Sequence, residues 1–165
     1  MKRMAQASLV VAALLGVSGA LGPAAAQLVG TGLSGFEEVP VISTSGSGAF
    51  FARIVGDTAI DFVLVYEDLE GGTVTAAHIH LGQVGVNGAI VIHFCGTGGK
   101  PACPPTPGTL AGTVTSADVV AVPAQGIAAG DLAEVIRAIR VGKAYANVHT
   151  TTYPGGEVRG QIKHH

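Results

Sequence analysis

Apolar and polar residues alternate in short runs along most of this chain, bounded by Gly, Pro, Asn and Asp at close intervals. That period of two predicts strands, over residues 27–33, 47–55, 58–66, 73–81, 89–95, 109–115, 144–150 and 157–163. Gly56-Asp57 predicts a tight hairpin turn between the second and third runs, and Asn87-Gly88 a turn before the fifth. One segment breaks the pattern. Leu132, Val135, Ile136 and Ile139 recur at helical spacing behind Asp131, a residue suited to cap a first turn, and Gly142 is suited to end the helix. The expected fold is all-β: an antiparallel, Greek-key-like β-sandwich crossed by one short helix.

The first 26 residues follow another logic. Lys2 and Arg3 precede an apolar run from Leu9 to Leu21, and Ala24-Ala25-Ala26 offers a small-residue cleavage site. Residues 1–26 read as a signal peptide and residues 27–165 as one mature domain, periplasmic or secreted, with no membrane span of its own. Removing Lys2 and Arg3 leaves seven basic side chains against eleven acidic ones, a net charge of about −4. That sign disfavours nucleic acid and anionic membrane surfaces as partners. In an oxidising compartment Cys95 and Cys103 are expected to form a disulfide closing a Gly/Pro-rich loop. Their spacing matches neither a redox C-x-x-C nor a zinc knuckle.

The chemistry concentrates in histidines. His78 and His80 lie two apart in a strand, so their side chains share a face about 6.5–7 Å apart, with Ala77, Ile79 and Leu81 on the other. A third histidine, His149, sits in the strand-like Tyr145-Ala-Asn-Val-His-Thr150. Neutral imidazoles in this arrangement suit one metal ion, copper before zinc, with a coordination position left open. His93 is a possible fourth ligand, and Asn147, Glu157, Arg159 and Tyr145 are groups that could orient an imidazole. The competing reading makes the same histidines ordinary hydrogen-bonded residues. Glu157 and Arg159, alternating on one face, read either as a structural clamp or ion pair or as an acid and a base beside the histidines. His164 and His165 form a tail that could bind metal adventitiously.

Three motifs resemble one family. Ala77-His-Ile-His80 with Gly82 and Asn87-Gly88, then Tyr145-Ala-Asn-Val-His-Thr150 with Tyr153-Pro-Gly-Gly-Glu-Val-Arg-Gly-Gln161, are similar to signatures of the CHRD (chordin) domain. Leu33-Ser-Gly35 and Glu38-Val-Pro40 resemble its opening, with Val41 in place of a second proline. The resemblance spans essentially the whole mature chain and implies an extracellular module, as in the growth-factor antagonist chordin. It implies no particular reaction. The His-x-His strand with a remote histidine is also similar, in architecture and spacing only, to the copper side of Cu,Zn superoxide dismutases. If the protein is an enzyme, a copper-dependent oxidoreductase of that type is expected. The alternative is a metal-free extracellular scaffold that binds a protein or polysaccharide. No G-x-S-x-G, P-loop, Rossmann glycine pattern or H-E-x-x-H is present, which excludes the commonest hydrolase and nucleotide sites.

Overall fold

The computed structural model describes residues 26–164. The expected signal peptide, apart from Ala26, lies outside the described residues, as does His165. Nine strands form: β1 Gln27–Ser34, β2 Ser47–Val55, β3 Ala59–Glu67, β4 Val74–Leu81, β5 Ala89–Cys95, β6 Gly108–Val114, β7 Ala144–Thr150, β8 Val158–Gln161 and β9 Lys163–His164. The helix α1 covers Leu132–Arg140. Each of the eight expected strands is present. The last is split at Ile162: β8 lies between β7 and β1, while β9 pairs with β1 alone.

The strands join one antiparallel sheet in the order β5-β4-β7-β8-β1-β2-β3-β6. It curls so that its ends meet: Phe62 of β3 stacks on Phe94 of β5 with ring centres 4.2 Å apart, and Phe50 of β2 joins them. The two halves therefore face each other over one core, as a sandwich does, without being separate sheets. Ile54, Ile60, Leu64, Ile79, Val91, Val148 and Val158 fill that core. Burying such side chains contributes roughly 1.5–3 kcal/mol each.

Helix α1 closes one end. Asp131 accepts from the Glu134 amide at 3.2 Å, and Leu132, Val135, Ile136 and Ile139 are buried. Gly142, at φ +66°, sits in the left-handed region that terminates the helix and turns the chain into β7. The helix thus fixes the start of the strand that carries His149. Among the described residues, no helix is long and apolar enough to cross a membrane.

Candidate metal centre

β4 and β7 are neighbours, and their register decides what meets. His78 lies directly across from Asn147, and His80 across from Tyr145. Extending each row places His93 of β5 beyond His78, and Arg159 and Gln161 of β8 beyond Asn147 and Tyr145. Ala77, Ile79, Ala146 and Val148 point to the core, so the sheet's other face carries a continuous polar row. Loops fold over that face. His78, His80 and His149 are consequently only 3%, 7% and 7% exposed. Every residue of β7 is buried, on both faces.

The three imidazoles converge. One nitrogen from each of His78, His80 and His149 lies within 4.8 Å of the others. Backbone carbonyls set two tautomers: His80 Nδ1 is 3.0 Å from the Gly88 carbonyl and His149 Nδ1 is 3.0 Å from the Pro154 carbonyl. A carbonyl only accepts, so each Nδ1 carries the hydrogen and each Nε2 keeps a lone pair. His149 Nε2 faces His78 Nδ1 at 3.0 Å. His80 Nε2 is buried with no hydrogen-bond partner at all. His80 and His149 thus have the donor chemistry a metal ion needs, their second nitrogens tied to acceptors, while His78 donates from Nδ1 to His149 Nε2 in the metal-free protein.

Burial also holds the imidazoles neutral. It pushes His78 down to about 3, with the other three histidines adding to the effect. Burial pushes His80 down to about 4 against the opposing pull of the Gly88 carbonyl, and it lowers His149 as well. Metal-free stability should therefore fall as pH drops. Between pH 6.5 and about 4 the unfolded chain takes up protons at these positions while the folded chain does not, so acid favours unfolding. Glu38 opposes this above its ordinary value of 4.5: burial raises its carboxyl to about 7, so the folded form retains that proton. Two strongly depressed histidines against one carboxyl leave a net decline, steepest below pH 4.5. Urea midpoints of metal-free protein from pH 7 to 4 check this; a rising midpoint would contradict it.

The remaining candidates surround the three histidines. Tyr145 stacks on His80 with ring centres 4.7 Å apart and 4° between planes, and the Arg159 guanidinium lies 3.4 Å over the other side of the Tyr145 ring. Arg159 donates to Asn87 Oδ1 and to the carbonyls of Gln83 and Val86, holding the 82–88 loop whose Gly88 receives His80. Glu157 accepts four hydrogen bonds, from the Thr44 and Thr150 hydroxyls and the amides of Glu70 and Gly71, and none from an imidazole. Glu157 and Arg159 do not pair with each other. His93 stands beside His78, ring centres 4.8 Å apart, with its Nδ1 on the Thr97 hydroxyl at 2.8 Å. That hydroxyl also meets His78 Nε2 at 2.6 Å.

Thr97, Gly88, Pro154 and Glu38 are the participants that sequence reasoning missed. Thr97 lies in the loop closed by the Cys95–Cys103 disulfide, which the structure contains as expected. Closing a loop of sequence separation 8 stabilises by about 2.5 kcal/mol on chain-entropy grounds. A Cys95→Ser, Cys103→Ser chain should lose about that much in urea unfolding. The same change should free Thr97 from His78, visible as altered imidazole resonances.

A family model described as the CHRD domain matches residues 29–162. No curated protein and no solved structure matches.

Proposed function

We propose that this chain, which belongs to the CHRD domain family, binds a single metal ion through His78, His80 and His149 and acts outside the cytoplasm. Copper is favoured, because three imidazoles suit it and it stands highest in the divalent affinity series; zinc is second. The observation that carries the reading is the unpartnered, buried Nε2 of His80, set where one nitrogen from each of His78, His80 and His149 lies within 4.8 Å of the others. A buried acceptor without a donor costs about 1–3 kcal/mol, and a cation removes that cost. The disulfide supports an oxidising compartment.

With ligands only 3–7% exposed, the open position admits a small species rather than a polymer. A copper-dependent redox step on a small oxygen species, of the superoxide-dismutase type, is the activity this favours. A second reading, a metal-free module binding a protein or polysaccharide, draws on two observations. His78 and His149 already hydrogen-bond to each other, and Leu28, Val63 and Val65 are exposed.

The test is metal content of untagged protein purified from the periplasm without His164 and His165. Near one copper per chain, lost in His78→Ala, supports the proposal and justifies superoxide turnover assays. No bound metal and no tight copper or zinc uptake on titration would sink it.

A further inference from the structure

Asn147 is a buried side chain beside the histidine cluster. It is 2% exposed, lies directly across from His78, and shares a face with His149 two residues on. Opposed residues in an antiparallel pair stand about 4.5–5.5 Å apart at Cα, and i, i+2 neighbours about 6.5–7 Å. Its amide is also beside His80. Yet neither Asn147 Oδ1 nor His80 Nε2 meets a donor in good hydrogen-bond geometry. Two adjacent acceptors with lone pairs and no donor describe a place for a cation.

A second residue governs which end of the amide faces that place. Glu38, 5% exposed, brings its carboxyl against Asn147 from the loop after β1. Gly156 leaves the room: a Cβ there would overlap Glu38 Oε1 and stand 2.8 Å from Asn147 Nδ2. The nitrogen end of the amide thus lies toward the Glu38 carboxyl, and the oxygen is left toward the imidazoles. His93 is a poorer fourth donor, because its Nδ1 is engaged by Thr97.

We infer that Asn147 supplies a fourth donor, its amide oxygen turned inward by Glu38, and that this pair biases the site toward Cu(II) or Zn(II) over Cu(I). The inference rests on the proposed metal site. An amide oxygen is a hard ligand: it strengthens binding of a divalent ion and adds little for a soft monovalent one.

The experiment compares wild-type mature protein, without residues 164–165, with Asn147→Leu, Asn147→Asp and Glu38→Leu. Cu(II) and Cu(I) affinities are measured against competing chelators, and Cu(II) is examined by electron paramagnetic resonance. Asn147→Leu should weaken Cu(II) about 10–100-fold, change Cu(I) by less than about threefold, and alter the copper hyperfine splitting. Glu38→Leu should move in the same direction by less. Asn147→Asp, which keeps size and oxygen, should hold Cu(II) at least as tightly as wild type, and it carries the comparison if the leucine variant does not fold. Unchanged Cu(II) affinity and spectrum in Asn147→Leu, weaker Cu(II) binding in Asn147→Asp, or equal losses of Cu(II) and Cu(I), would overturn the inference. Failure of wild type to bind copper, or retention in His78→Ala, would instead remove the metal site itself.

Discussion

Glu157→Ala should cost on the order of 4 kcal/mol of folding stability, the largest loss expected from any single change outside the apolar core. Its carboxylate is fully buried and receives four donors at 2.6–3.0 Å. Hydrogen bonds to a charged group are worth about 1.5–3 kcal/mol each, although bonds to one acceptor do not add fully. Alanine strands two backbone amides and two hydroxyls, of which the Gly71 amide and the Thr150 hydroxyl are buried. A domain of this size has roughly 5–15 kcal/mol in total, so the variant sits near its stability limit. Those donors come from Thr44, from residues 70 and 71, and from the end of β7, so the damage is to loop attachment. Folded variant protein should accordingly keep the copper stoichiometry of the wild type. Urea unfolding decides the point: a loss below about 1 kcal/mol would mean that water replaces the carboxylate, contrary to its burial.

The strands and helix were legible because each is a local pattern. The alternation in residues 47–55 and 58–66 gives a hairpin, realised with one residue shifted at β3. The capped, periodic run after Asp131 gives α1. Strand order was not legible, since β8 and β1 meet across most of the chain and no local pattern encodes which distant edges pair. The histidine spacing pointed to His78, His80 and His149 as one group, and the structure brings them together. What it could not give was their surroundings. Gly88, Pro154 and Thr97 act through a carbonyl or a hydroxyl placed by loop geometry. Glu38 arrives from a segment about 110 residues before Asn147, against which it packs. Nor did the pattern reveal that β7 is buried on both faces; its polar row of Tyr145, Asn147 and His149 looks solvent-facing until the loops are laid over it.

His80→Leu and His149→Leu should separate metal binding from stability. In metal-free protein His80 makes a single hydrogen bond, to Gly88, and its Nε2 makes none. Leucine there leaves the Gly88 carbonyl without its imidazole donor and loses the stack on Tyr145, but it also removes an unpartnered buried acceptor, which offsets the orphaned carbonyl, so the net cost should stay under about 1.5 kcal/mol. His149 is bonded at both nitrogens. Its replacement leaves the His78 Nδ1 hydrogen and the Pro154 carbonyl without partners, at about 2–4 kcal/mol. Metal binding should follow a different order, with both variants losing more than about 100-fold in affinity, since even groups that only orient ligands are worth 10–100-fold. At copper concentrations 100 times its dissociation constant the wild type should gain about 2.7 kcal/mol, and each variant less than about 0.4 kcal/mol. Urea unfolding with and without copper reads all of this in one experiment. If His80→Leu were as destabilising as His149→Leu, and copper stabilised none of the three proteins, the histidines would be structural and the metal-free module would be the better account. A small cost at His80 with loss of nearly all the copper stabilisation is the result that only a ligand gives.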